Sequence, residues 1–321
     1  MNVEKGFVDV PVEAGLDLAA EIRKLKEEKN AAILAHYYTV GEIQDLADFV
    51  GDSLALARIA ETLDNDIIVM CGVHFMGETV KVLCPQKKVL VPDLNAGCSL
   101  ADSCPAEEFS KFVEAHPGHT VVSYVNTSAA VKAHTDIVVT SGNVMKVVSS
   151  LPENEKIIFG PDRNLGNYIN SQTGREMLLW DGACHVHEQF SLEKILELKE
   201  QHPAAKVLVH PECPAPVRLV ADKIGSTAVL LEYAVNDDAT EFIVATESGI
   251  LHEMRRRCPG KTFIPAPPND STCACNDCSF MKLNTLEKLY NTLRYEQPEV
   301  TVDESIIDAA RRPITRMLEL S

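Results

Sequence analysis

The chain has 321 residues, 47 of them acidic against 30 basic, for a formal charge of -17. That length allows two or three compact domains, no apolar run approaches the ~20 residues of a membrane span, and the acidic balance repels a phosphate backbone, so nucleic acid is excluded as the main partner. A small anionic substrate is not excluded, because a local cradle of backbone N–H groups overrides net charge at short range. The opening MNVEKGFVDVPVEAG lacks the basic start and apolar stretch of a secretory signal, so a cytoplasmic location is expected. Ten cysteines in such a chain point to a metal, cluster or redox site rather than a disulfide framework.

In chain order, the first strand is AAILAHYY, an apolar run that turns polar at its carboxyl end. The turn GDS follows, then a second apolar run DIIVMCG, the helical segment GETVKVLC and a further strand KKVLVPD, before Cys98 in NAGCSLADSC. The helix AEEFSKFVEAHP leads into TVVSYVNT, the turn TSGN, EKIIFGP, REMLLWD and Cys184 in WDGACHVHE. The helix SLEKILELKEQHP then leads into AKVLVHPE, the turn GST, TEFIVAT, GILHEMRRRC, KTFIPAP and the group Cys273, Cys275 and Cys278. Strands alternating with helices predict parallel α/β architecture. Strands that end in polar side chains are where open α/β sheets place ligands.

The spacing repeats. His36 to Ser53, Tyr124 to Ser141 and His210 to Thr227 are each 17 residues, and successive units begin 88 and then 86 residues apart. The expected fold is therefore three tandem αβα sandwich domains with small parallel sheets, related by a pseudo-threefold axis around a central cavity. The expected units are 1–98, 99–184 and 185–278, followed by a C-terminal helical segment, 279–321, packing on the domains. Each unit closes near a cysteine, so three thiols would converge on the cavity.

A closed structural zinc site takes four ligands, commonly in two close pairs; Cys98 and Cys184 are far from such pairs, and only a loose one with Cys104 is available. Three thiolates can instead hold a [4Fe–4S] cluster with one iron open, a Lewis acid suited to dehydration. Cys71 and Cys84 sit among apolar residues and read as packing thiols. Cys213 and Cys258, each followed by proline, read as structural. Cys273 and Cys275 stay open between surplus thiols, a redox pair with Cys278 and alternative ligands.

The stretches AHYYTVGEIQDLADFVGDSLALA, AGCSLADSCP, SYVNTSAAVKAHTD, GPDRNLGNYI, WDGACHVHEQF, VHPEC and CSFMKLNTL together resemble the quinolinate synthase family, in order along nearly the whole chain. The resemblance implies three similar α/β/α domains around a [4Fe–4S] cluster, and an enzyme that condenses iminoaspartate with dihydroxyacetone phosphate to quinolinate in NAD biosynthesis. It also implies a functional link to the enzyme that supplies iminoaspartate. It makes Cys98, Cys184 and Cys278 the cluster ligands, Cys278 being preferred because it precedes FMKLNTL and a final core helix, whose start would favour a thiolate. Glu212 is implied as general acid or base, a role that burial would assist by raising its carboxyl toward neutrality. Tyr38 and Tyr124 are implied as catalytic tyrosines, and His36, Asn126, His187 and His210 as substrate contacts. Ser53, Ser141 and Thr227, in the three equivalent turns, are expected to bind carboxylate or phosphate oxygens if those turns open helices; the competing role for the same hydroxyls is helix capping. The chain departs from some family members in reading CACNDC where they carry CxxCxxC. That shortening puts a disulfide switch between the first two of these cysteines in doubt.

Overall fold

Ala31–His36 (β1) is buried along its whole length, as expected of a parallel strand covered by helices on both faces. In the computed structural model, which describes residues 3–270 and 276–321, β1 is the second strand of a four-stranded sheet. Its partners are Phe49–Gly51 (β2), Ile67–Cys71 (β3) and Lys88–Leu90 (β4). Thr120–Tyr124 (β5), Ile137–Val139 (β6), Ile157–Gly160 (β7) and Leu178–Leu179 (β8) build a second sheet. Lys206–Val209 (β9), Lys223–Ile224 (β10), Glu241–Ala245 (β11) and Thr262–Pro265 (β12) build a third. The orders are β2-β1-β3-β4, β6-β5-β7-β8 and β10-β9-β11-β12, and all pairs are parallel. In each sheet the chain moves outward from the first strand to the second, then crosses back to the third. The crevice beside the carboxyl end of the first strand is thus a topological switch point. His36 and Tyr124 end β1 and β5, and His210 directly follows β9.

The edge strands β2, β6 and β10 are not visible as apolar alternation in the sequence, being only two or three residues long. An aspartate placed just before each aligns it. Asp48 Oδ2 accepts from Ile33 N at 2.8 Å while Asp48 N donates to Ile33 O at 2.9 Å. Asp136 does the same with Val121 at 2.8 and 2.9 Å, and Asp222 with Val207 at 2.7 and 2.9 Å. The repeat is thus written in hydrogen bonds that no local motif announces. Asp136→Ala leaves the buried Val121 N–H without its acceptor. The expected loss is about 1–3 kcal/mol of stability, read as a lower urea midpoint at unchanged m-value.

One apolar core joins Leu34, Ile68 and Met70 of the first sheet to Val122, Val138 and Phe159 of the second, and is closed by Ala310, Ile314 and Met317 of the helix Glu304–Glu319. The other face of the first sheet, Ile33, Ala35 and Val69, packs on Ile22 of the helix Leu18–Glu28 and on Leu289 and Leu293 of the helix Leu286–Tyr295. The third sheet is buried on both faces, Leu208, Phe242 and Val244 on one and Val207, Ile243 and Ala245 on the other. No helix among the described residues is long and apolar enough to cross a membrane.

Candidate active site

The carboxyl ends of the first strands of all three sheets meet at one pocket. Tyr38 and His36 reach it from β1, Tyr124 and Asn126 from β5, and His210 and Glu212 from β9. Ser53, Ser141, Thr227, His187 and the thiols Cys98, Cys184 and Cys278 line the same space. The residues implied as catalytic, substrate-binding or cluster-binding therefore all line it. Cys273 and Cys275 lie outside the described residues.

At the centre, the Glu212 carboxylate is 3 % exposed. Oε1 accepts from the Tyr124 hydroxyl at 2.5 Å and Oε2 bonds His187 Nδ1 at 3.0 Å. Burial works to raise this carboxyl, but the hydrogen bonds donated by His187 and Tyr124 oppose it and hold it below its ordinary value. The expectation that burial would lift it toward neutrality is corrected: donors converge on both oxygens, so Glu212 is kept ionised. Since a carboxylate only accepts, Nδ1 of His187 carries the proton. His187 Nε2 bonds Thr246 Oγ1 at 2.9 Å, so both ring nitrogens of His187 are engaged within the protein. Thr246 Oγ1 also bonds the Tyr38 hydroxyl at 2.7 Å, and that hydroxyl bonds Thr227 Oγ1 at 2.8 Å.

His36 and His210 occupy equivalent positions and behave alike. Each ring accepts at Nδ1 from the backbone N–H two residues on, Tyr38 N at 3.2 Å and Glu212 N at 3.4 Å. Burial pushes both imidazoles down to about 3, so each is neutral with its proton on Nε2. The His210 ring stacks on His187 with centroids 4.5 Å apart.

Of the three small-residue turns, two open ten-residue helices directly. Ser53 and Thr227 are the first residues of Ser53–Thr62 and Thr227–Asn236. The caps are supplied one residue earlier, by Asp52 bonding Ala55 N and Ser226 bonding Val229 N. Capping therefore does not consume the Ser53 and Thr227 hydroxyls. Ser141 differs: the helix that follows it starts later, at Val144.

The three thiols are unpaired and share a local design. Each is followed by a short helical turn: Ser99–Asp102 after Cys98, His185–Glu188 after Cys184 and Met281–Leu283 after Cys278. Cys278 precedes a single 3-10 turn, Met281–Leu283, and not the long helix itself, which begins at Leu286. Burial pushes the Cys98 thiol up to about 12 and raises Cys184 and Cys278 as well. These sulfurs are protonated when bare and become thiolates when a cation compensates the desolvation. Among the described residues, Cys184, His187 and Glu212 also bring ligand atoms within 4.8 Å of one another, a cluster able to hold a metal ion.

The profile of the NadA family, described as Quinolinate synthetase A protein, matches residues 20–319. The chain belongs to this family. It is 57% identical to the quinolinate synthase of Synechococcus sp. over 321 residues, covering 100% of this chain and 99% of that protein. It is 58% identical to that of Nostoc punctiforme over 309 residues, covering 96% and 95%. It is 56% identical to that of Chloroherpeton thalassium over 306 residues, covering 95% of each. Membership in this family makes the chain an enzyme of the transferase type.

Within this family member, several residues beside the pocket carry no sequence signal of their own. Asp162 and Glu247 stand two residues beyond β7 and β11, and each holds the backbone of a thiol. Asp162 Oδ2 accepts from Cys184 N at 3.2 Å and Glu247 Oε1 from Cys278 N at 3.1 Å. Lys282 Nζ sits 2.9 Å from the same Glu247 oxygen and donates to Tyr38 O at 2.9 Å. Ser99 Oγ and His185 Nδ1, each one residue past a thiol, are 2.6 Å apart, which gives His185 a structural partner. Gly249 is required by close approach: a Cβ there would stand 2.7 Å from Tyr38 Cα. The rule that both strands flanking a switch point contribute to the site would have found Thr246, Glu247 and Asp162.

Proposed function

We propose that the chain is a quinolinate synthase, joining iminoaspartate and dihydroxyacetone phosphate into quinolinate with release of phosphate and two waters. The observation that carries this reading is that Cys98, Cys184 and Cys278 line the same pocket as the Tyr124–Glu212–His187 network. We read the units 1–98, 99–184 and 185–278 as a pseudo-threefold ring around that pocket, with 279–321 packed on them. Contacts that run head to tail support a closed ring: Gln44 Nε2 donates to Gly249 O at 3.1 Å, Ala129 N to Glu78 Oε2 at 3.0 Å, and Arg218 Nη1 to Asn164 O at 3.2 Å.

The donor set fits a cluster. Three unpaired thiols lining one pocket suit thiolates bound to iron, whereas both ring nitrogens of His187 are already engaged by protein partners. When bound by Cys98, Cys184 and Cys278, a [4Fe–4S] cluster supplies a Lewis-acidic iron with an open position. The remaining chemistry belongs to the side chains. His36 and His210 offer neutral Nε2–H donors for substrate carboxylate or carbonyl oxygens. The Ser53 and Thr227 hydroxyls and the N-termini of their helices suit phosphate or carboxylate oxygens, and Asn126 adds an amide. Ionised Glu212 is the base that takes a carbon-bound proton during isomerisation and dehydration, with Tyr124 and His187 fixing its two oxygens. Tyr38, held by Thr227 and Thr246, orients substrate or donates to a developing enolate oxygen. Val73, Phe75, Met76 and Val186 supply apolar wall against water. An imine hydrolyses in water, which favours a functional link to the enzyme that produces iminoaspartate, in the same cytoplasmic compartment.

The test is anaerobic: protein with counted iron and sulfide is given both substrates, and quinolinate is quantified. Quinolinate formed in catalytic excess is the expected result. A loaded protein that makes none, yet dehydrates another hydroxy acid, is a different cluster-dependent hydro-lyase.

A further inference from the structure

Gln44, Lys132 and Arg218 share no chemical class, yet they recur at the same 88- and 86-residue intervals as His36, Tyr124 and His210. Each is the last residue of a four-residue helix, Gly41–Gln44, Ala129–Lys132 and Ala215–Arg218, placed between the first and second strands of its sheet. Each donates to two backbone carbonyls in the loop that follows the first strand. Gln44 Nε2 reaches Tyr37 O and Thr39 O, both at 2.9 Å. Lys132 Nζ reaches Val125 O at 2.8 Å and also Thr127 O. Arg218 Nη1 reaches Pro211 O at 3.2 Å and also Cys213 O. The residues bracketed by these carbonyl pairs are Tyr38, Asn126 and Glu212, the three that face the pocket.

We propose that Gln44, Lys132 and Arg218 are positioning residues that clamp the three loops so that Tyr38, Asn126 and Glu212 project into the pocket. This role rests on the functional reading above. What the three side chains have in common is N–H donors, and the acceptor is superfluous: Oε1 of Gln44 is buried with no partner among the described residues. Charge is superfluous too, because burial pushes the Lys132 ammonium down to about 7, and its place in the first unit is taken by an uncharged amide. The clamps also fasten neighbouring units, Gln44 through Gly249 O and Arg218 through Asn164 O. A loop held at both carbonyls around one residue has its peptide planes fixed, and that sets where the intervening side chain points.

The test compares Lys132→Met with Lys132→Gln in the cluster-loaded enzyme. Lys132→Met and Lys132→Gln are alike in length, each one atom shorter than lysine; Met loses the donors, and Gln installs the donor that the first unit uses. Lys132→Met is expected to lower kcat at least about tenfold with smaller changes in KM, to keep its iron, and to speed amide hydrogen exchange in residues 125–128 about tenfold. Exchange in β11 should stay at the wild-type rate, and Lys132→Gln should recover kcat and protection to within about threefold. Wild-type kcat and exchange in Lys132→Met, or equal damage in both variants, would overturn the clamp. A wild-type protein that makes no quinolinate defeats the functional reading alone, and the exchange rates then still decide the clamp. Should Lys132→Met fail to fold, Gln44→Met carries the same test on residues 37–39.

Discussion

Alanine at Cys98, Cys184 or Cys278 is expected to strip most of the iron and sulfide from anaerobically loaded protein and to lower quinolinate formation at least about 10³-fold. The size follows from the ligand count. The three thiols line one pocket, and with one gone the cluster has two protein anchors, the lining holding no fourth thiol among the described residues. Cys104, 1 % exposed, is packed with Phe109, Val121 and Ile158 on the far face of the second sheet. Cys71→Ala and Cys84→Ala are the matched controls. Cys71 packs in the apolar layer of the first sheet, and Cys84 donates its S–H to Ala60 O at 3.4 Å. Both variants should keep wild-type iron while losing some stability, since the lost sulfur leaves a small void. Retained iron and activity in any of the three pocket variants would remove that residue from the ligand set.

Glu212→Gln is expected to lower kcat about 10²- to 10⁴-fold with iron content unchanged. The carboxylate receives the Tyr124 hydroxyl on one oxygen and the His187 N–H on the other. An amide turns one of those acceptors into a donor, which either faces the His187 N–H or makes the Tyr124 hydroxyl accept where it now donates, and the proton-accepting group is lost as well. Tyr124→Phe should fall less far, because the His187 bond still orients the carboxylate. A Glu212→Gln enzyme within about tenfold of wild type would mean that the base is elsewhere.

The first, third and fourth strands of each sheet were legible in the sequence because each is an apolar run closed by a turn. So were the helices between them, and the thiols that end the repeats. The edge strands β2, β6 and β10 were not, because two or three residues carry no period. What aligns them is a pair of hydrogen bonds to Asp48, Asp136 and Asp222, residues that look like ordinary loop aspartates. The same gap explains Gln44, Lys132 and Arg218: the repeat conserves donor geometry while the residue type changes, so side-chain identity hides the correspondence. Thr246 and Glu247 follow β11, the third strand of its sheet, whereas the polar strand ends legible in the sequence are those of the first strands. Glu212 is legible by resemblance, but its ionisation is not: the Tyr124 and His187 bonds that oppose burial come from chain segments 88 and 25 residues away.

In the proposed function, three thiols, one from each unit, hold a cluster whose fourth iron is left for substrate. Mössbauer spectroscopy of anaerobically loaded, iron-57-enriched protein tests it most directly, recorded before and after addition of a substrate or of quinolinate. The account predicts three irons of one kind and one distinct, with only the distinct iron shifting when the ligand is added. Four equivalent irons untouched by either ligand, or iron bound without sulfide as a single ion, would contradict it.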